Sequence, residues 1–274
     1  MEYQVKPNQT IYYEEYGEGK PLFILHGLCV DHHYMVDEFE QVLKNSCYRR
    51  IYLDLPGMGK SSSFIRPTSD EILNQVLQMI DDLSNHEEFY LAGHSYGAYL
   101  GLAIAYQRER LCKGLFANSP AVYADEKKRY LSRHHTIGGD ISTINFNNNT
   151  KAFNEYFSTN VLIDQETWDK YEKEVLIGTN NCNFDFIHDL QHDGFKDYEL
   201  SCERDLRMKK VSTPLLLVSG KEDNVVGWKD QMSLMDNWLN GSMILLSKAG
   251  HNLQMDQPEV YQDMIKDFFL NKLN

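Results

Sequence analysis

Phe89-Tyr90-Leu91-Ala92-Gly93-His94-Ser95-Tyr96-Gly97 decides how this chain is read. Its first four residues are an apolar, β-prone run, and beyond Gly97 the residues Tyr99, Leu102, Ala103 and Tyr106 recur at helical spacing. The pentapeptide between them, G-x-S-x-G, predicts a sharp strand-to-helix turn. The glycines leave room for the crowding, while the central serine takes a strained backbone conformation that exposes its hydroxyl at the tip. Five residues alone are also compatible with a small-residue turn closing an ordinary βα unit, so the rest of the chain has to decide.

Further β-prone runs lie at Thr10–Tyr16, Pro21–Leu25, Ile51–Leu53, Gly114–Ala117, Leu215–Val218 and Met243–Leu246. Helical patterns lie between several of them, as in Ile72, Val76, Met79/Ile80 and Leu83. Strand and helix in alternation predict an α/β fold, a mostly parallel twisted sheet flanked by helices with right-handed crossovers. The alternation stops between about Pro120 and Asp205, where the sequence turns polar, Asn-rich and aromatic. Asn145–Asn149 reads as a loop there, and Trp168, Tyr171 and Val175 as a helical stripe. The expected organisation is a core of residues 1–119 and 206–274 interrupted by an inserted, mainly helical cap, 120–205. No internal repeat stands out.

A formal net charge of −13 lacks the Lys/Arg excess that phosphate neutralisation requires, which argues against a nucleic-acid partner and against strongly anionic substrates. Met1–Lys6 has no apolar stretch behind a basic one, and runs such as Leu215–Val218 are too short to span a bilayer, so a cytoplasmic protein without membrane partners is expected. Five cysteines (Cys29, Cys47, Cys112, Cys182, Cys202) at scattered spacings, without a C-x-x-C pair, read as reduced thiols. Cys29 in particular reads as an inert small hydrophobe.

Ligands of open parallel sheets bind at the carboxyl ends of the strands, so the residues that follow each apolar run carry the chemistry. These are His26-Gly27-Leu28, Asp54 through Ser61, Ser219 through Asp223, and Ser247 through His251. A serine hydroxyl needs an adjacent base, and the base a carboxylate to hold its tautomer. Ser95, Asp223 and His251 supply all three, in the chain order expected when an elbow serine precedes its acid and base. Glu222 is the near competitor for the acid. Two other patterns are set aside. Gly59-Lys60-Ser61 has the end of a P-loop, but Asp54 stands where its first glycine is needed. His188 and His192 have metal-ligand spacing without H-E-x-x-H or a third ligand, so no metal is expected.

With these residues assembled, the chain resembles the α/β-hydrolase-fold superfamily, in its serine hydrolase, esterase-like branch with an inserted helical cap. Five patterns carry the resemblance in order: H-G-x at His26-Gly27-Leu28, D-x-x-G-x-G-x-S at Asp54–Ser61, G-x-S-x-G at Gly93–Gly97, G-x-x-D at Gly220–Asp223, and G-H at Gly250-His251. The resemblance implies Ser95 as nucleophile, His251 as base and Asp223 as its orienting acid. It also implies an oxyanion hole from the backbone N–H groups of Leu28 and Tyr96, with His26, Gly27 and His94 in supporting places. Prolyl iminopeptidases carry H-G-G-P-G where this chain has His26-Gly27-Leu28-Cys29-Val30, and haloalkane dehalogenases and epoxide hydrolases place Asp at the elbow.

The expected activity is therefore hydrolysis of a small acyl substrate, a carboxylic ester or lactone, through an acyl-enzyme on Ser95 and without a cofactor. Amide or aminopeptidase-type, thioester and carbon–carbon hydrolysis use the same triad, and a non-catalytic ligand receptor of this fold is the alternative of a different class. The cap aromatics Phe153, Tyr156, Phe157, Trp168 and Tyr171 are expected to line the pocket.

Overall fold

A computed structural model describes residues 1–138 and 141–273. Its strands are β1 (Glu2–Lys6), β2 (Gln9–Tyr16), β3 (Lys20–Leu25), β4 (Tyr48–Leu53), β5 (Phe89–His94), β6 (Cys112–Asn118), β7 (Leu215–Gly220) and β8 (Gly241–Leu246). They form one sheet in the order β1-β2-β4-β3-β5-β6-β7-β8. The β1–β2 and β2–β4 pairings are antiparallel and all others parallel. The central strands are buried along both faces, which is why their apolar runs are continuous rather than alternating.

Alternate side chains divide the interior into two layers. On one face Phe23, Leu53, Leu91, Leu115 and Leu217 meet α2 (Ser69–Leu83) and α3 (Tyr96–Gln107). On the other, Ile24, Tyr52, Phe116 and Val218 meet α1 (His33–Leu43) and the C-terminal helix Pro258–Lys266. Two strand ends differ from the sequence expectation. β1, unexpected, is a polar edge strand whose residues alternate between exposed and half-buried, so it carries no apolar run. β4 starts at Tyr48 rather than Ile51 because the charged Arg50 is itself buried: its Nε and Nη2 donate to Glu40 at 2.6 and 2.9 Å, and Nη1 donates to the Tyr48 carbonyl at 2.7 Å.

β6 pairs directly with β7 although the chain between them makes a long excursion. That inserted segment holds α4 (Thr150–Thr159), α5 (Gln165–Tyr171) running into a π-turn at Glu172–Leu176, α6 (Phe184–Phe195) and α7 (Glu203–Met208). A short parallel pair, Ile137–Gly138 with Leu162–Ile163, crosses it. The Asn-rich loop ends where the Asn149 side chain caps α4 by accepting the Ala152 N–H. Trp168, Tyr171 and Val175 form a buried stripe as expected. The break expected at 205/206 falls inside α7. Glu203 there accepts hydrogen bonds from the Tyr99 hydroxyl and the Ala124 N–H, both at 2.7 Å, which ties α7 to the core helix α3. Among the described residues no helix is long and apolar enough to cross a membrane.

Candidate active site

Ser95 sits between β5 and α3 with φ 52° and ψ −114°, the strained conformation expected of the turn. Two neighbours must be glycine. A Cβ on Gly97 would lie 2.3 Å from the His26 carbonyl oxygen, and one on Gly93 would lie 2.7 Å from the Ala98 nitrogen. The turn therefore passes close under the loop after β3, with the Ser95 N–H donating to the Asn118 carbonyl at 2.9 Å.

The structure brings Ser95, His251 and Asp223 together. His251 Nε2 lies 3.0 Å from Ser95 Oγ, and its Nδ1 lies 2.9 Å from Asp223 Oδ2. Asp223 is buried, and its other oxygen accepts the N–H groups of Val225 at 2.8 Å and Val226 at 2.9 Å. Those two donors fix the carboxylate, so the bonded geometry gives His251 an Nδ1–H facing Asp223 and a free lone pair on Nε2 facing the serine. Glu222 points elsewhere and accepts the Ala249 N–H at 3.2 Å.

Neither His26 nor His94 contacts the serine hydroxyl. His26 Nε2 accepts the Leu55 N–H at 2.9 Å, so the proton is on Nδ1, which donates to the Gly27 carbonyl at 2.7 Å. Burial pushes this imidazole down, against the pull of Asp54, and keeps it neutral. His94 is also held well below its ordinary range by burial and by nearby His251, and its Nε2 donates to the His251 carbonyl at 3.2 Å. Tyr96 opens α3, so its N–H lies outside the helix's own ladder. Leu28 and Gly27 lie on the facing loop, and both line the cavity next to Ser95.

The Asp54–Ser61 motif is a scaffold. Asp54 Oδ1 accepts the backbone N–H and the ring Nδ1–H of His32 at 2.9 and 2.7 Å, and Oδ2 accepts the Lys60 N–H at 2.8 Å. Gly59, at φ +56°, has no space for a Cβ beside that carboxylate. Lys60 lies over the Tyr12 ring. Sequence reading had not singled out His32. With Asp31 and His33 it makes the one group of possible metal ligands among the described residues, but His32 Nδ1 is taken by Asp54 and His33 Nδ1 by Asp31. His188 and His192 lie one turn apart on α6 with their rings tilted at 46°, and the His188 side chain is largely exposed.

Ser95 and His251 open into a cavity of about 360 Å³, within the range of small-molecule sites. The inserted segment supplies much of its wall, including Arg129, Lys151, Glu155, Tyr171, Val175 and Phe184. The expectation about aromatics is corrected here. Of the five, only Tyr171 lines the cavity; Phe153, Tyr156 and Trp168 meet one another in tilted and edge-to-face contacts, buried in the layer that continues into the sheet face. Phe184, not foreseen, does line the cavity. Cys29 also lines it, with φ 62° and its thiol against that of Cys182.

Sequence reading missed the residues behind His251. Tyr34 donates its hydroxyl to Asn252 at 2.7 Å, and Asp256 bonds the Gly250 N–H at 2.8 Å. None of them follows an apolar run directly, so no strand-end pattern marks them.

An eight-stranded, mostly parallel sheet with a strand–serine–helix turn and a histidine loop at its carboxyl edge defines a hydrolase of the α/β-hydrolase fold. Residues 19–258 match the family model described as serine aminopeptidase, S33, and the chain belongs to that family. A crystal structure of an alpha/beta superfamily hydrolase from Oenococcus oeni superposes with a TM-score of 0.91 at 34% identity, covering 100% of this chain and 99% of that one. A 2-hydroxy-6-oxononadienedioate/2-hydroxy-6-oxononatrienedioate hydrolase from Burkholderia vietnamiensis is 23% identical over 94% of this chain and 90% of its own length. A proline iminopeptidase from Saccharolobus solfataricus is 23% identical over 94% of this chain and 88% of its own.

Proposed function

We propose that this hydrolase acts on small carboxylic esters or lactones through an acyl-enzyme on Ser95. The observation that carries the reading is the continuous chain Ser95 Oγ to His251 to Asp223, opening into a cavity of mixed polarity. Ser95 Oγ attacks the substrate carbonyl carbon as its proton passes to His251 Nε2. The resulting oxyanion accepts hydrogen bonds from the N–H groups of Leu28 and Tyr96, which stabilise charge that develops only in the tetrahedral intermediate. Collapse expels the leaving alkoxide, which takes the proton back from His251, and leaves the acyl group on Ser95. A water then repeats the sequence, giving its proton to His251 and releasing the carboxylic acid and free serine.

In this reading Asp223 holds the imidazole tautomer and stabilises the imidazolium, His26 and Gly27 brace the oxyanion loop, and His94 braces the His251 backbone. Residues 120–205 act as a cap that selects substrate. The relatives named above include a 2-hydroxy-6-oxononadienedioate/2-hydroxy-6-oxononatrienedioate hydrolase and a proline iminopeptidase, so bond type is a matter of the cavity and not of the triad. The test is labelling by a fluorophosphonate probe together with steady-state turnover of p-nitrophenyl acetate, a panel of lactones and aminoacyl amides. Turnover of esters or lactones above amides, lost in Ser95→Ala, supports the reading. Preferred turnover of aminoacyl amides would replace it with a peptidase, and labelling without turnover would make the protein a receptor.

A further inference from the structure

We infer that Asp256 is a positioning residue that fastens the inserted segment to the loop carrying His251, so that the histidine is held in register only when the segment is docked. The inference rests on the reading of His251 as the base. Asp256 ends the short helix Leu253–Asp256 and is 3% exposed. Its Oδ2 accepts the N–H of Gly250, the residue before His251, at 2.8 Å. Its Oδ1 accepts two N–H groups of the inserted segment, Val161 at 3.0 Å and Leu162 at 2.7 Å. One buried carboxylate thus joins three backbone donors from two separate parts of the chain. These three bonds call for acceptors on both oxygens, which a carboxylate supplies. Nothing but an acceptor with lone pairs on both oxygens can serve donors on opposite sides. The two chain segments also touch directly: a Cβ on Gly250 would lie 3.0 Å from Val161 Cγ2 and 3.1 Å from the Thr159 carbonyl oxygen.

The residue on the other side of the histidine is tied to the same stretch. Asn252 Nδ2 donates to Asn160 Oδ1 at 2.8 Å, while Asn252 Oδ1 accepts the Tyr34 hydroxyl. Gly250 and Asn252 are therefore both fastened to residues 160–162, and His251 is suspended between the two fastenings. Asp256 touches no reacting atom. It acts through the backbone that sets where the imidazole stands relative to Ser95, and a displacement of about 1 Å at such a distance costs on the order of 100-fold in rate.

The test compares Asp256→Asn, Asn160→Ala and Ser95→Ala with the wild type in three readouts: kcat and KM for p-nitrophenyl acetate, the rate of fluorophosphonate labelling, and amide hydrogen exchange. Asparagine keeps the shape of Asp256 but sets an NH₂ against one of the N–H donors. Asp256→Asn is expected to lower kcat at least tenfold with KM within about twofold, to slow labelling in parallel, and to speed exchange at Val161, Leu162 and Gly250 together while the sheet amides stay protected. Asn160→Ala, cut from the segment side and away from the histidine loop, is expected to lower kcat several-fold at unchanged KM. A folded Asp256→Asn with kcat within twofold of wild type, or with exchange altered at Gly250 alone, overturns the inference. If Asp256→Asn does not fold, unchanged kcat in Asn160→Ala overturns it as well. An active Ser95→Ala would instead overturn the assignment of the site, and an inactive Ser95→Ala beside a fully active Asp256→Asn would remove only the inference.

Discussion

At the scale of single residues, the decisive contrast is between two adjacent carboxylates. Asp223 faces the His251 ring from inside the protein, while Glu222 braces the backbone of the histidine loop. Neutralising the group that faces the ring should abolish most of the rate, because the imidazole loses both its preferred tautomer and its counter-charge. Asp223→Asn is expected to lower kcat by up to about 10⁴-fold. Glu222→Gln, which keeps an acceptor for the Ala249 N–H, should remain within a few-fold of wild type. Stopped-time turnover of p-nitrophenyl acetate separates them, and equal losses would contradict the assignment. That these three residues meet was legible because each follows an apolar run, and a fold built on a parallel sheet gathers such positions at one edge. What lies behind them was not. Tyr34 bonds Asn252 across 218 positions of chain, and Asp256, although only six positions from Gly250, also bonds Val161 and Leu162 across 95 and 94 positions, and no local pattern encodes such distant partners.

At the scale of elements, the strand–turn–helix at Ser95 depends on the close pass beneath the β3 loop. Gly97→Ala would place a methyl carbon within 2.3 Å of the His26 carbonyl, and neither backbone can yield without moving the oxyanion loop. The expected result is destabilisation of about 1–3 kcal/mol or more in urea titration, accompanied by loss of probe labelling. The inserted segment divides its large side chains between two tasks. Trp168 is fully buried among Phe153, Tyr156 and Tyr171, so Trp168→Ala should destabilise by about 3–5 kcal/mol without a selective effect on substrates. Tyr171→Ala and Phe184→Ala, which open the cavity wall, should shift the ratio of kcat/KM between short and bulky esters by roughly 10- to 200-fold, the worth of a small apolar contact. Uniform losses across the ester series would show that the wall does not select. Composition had marked the segment as aromatic-rich, but which rings turn inward depends on the crossing of α4 and α5, and that geometry has no signature in spacing alone.

At the scale of the whole molecule, the inserted segment meets the core through a buried acid. Glu174 stands on the π-turn with its side chain 1% exposed, its carboxylate 3.7 Å from the Lys170 ammonium, which is itself bonded to Glu38 on α1. Burial pushes the Glu174 carboxyl up to about 8, reinforced by Glu38 and Asp37 and opposed by Lys170 and Lys173. Folded protein therefore holds a proton here that the unfolded chain, with an ordinary carboxyl near 4.5, has released. The stabilisation is complete below pH 4.5 and is lost as pH rises through 8. Asp256, raised to about 6 mainly by burial, contributes with the same sign at lower pH. The melting temperature should accordingly fall between pH 6 and 8.5, and Glu174→Gln, uncharged throughout, should flatten that fall. Thermal unfolding at the two pH values decides, and an identical slope in the variant would refute the assignment.

The bond between Ser95 and His251 spans 156 positions of chain, and both ends belong to loops that only the finished sheet brings face to face. Such a contact cannot form early, because the entropy of closing so long a loop is recovered only after the intervening strands have paired. If Ser95 acts as proposed, its labelling by a fluorophosphonate during refolding should therefore return no earlier than protection of the sheet amides.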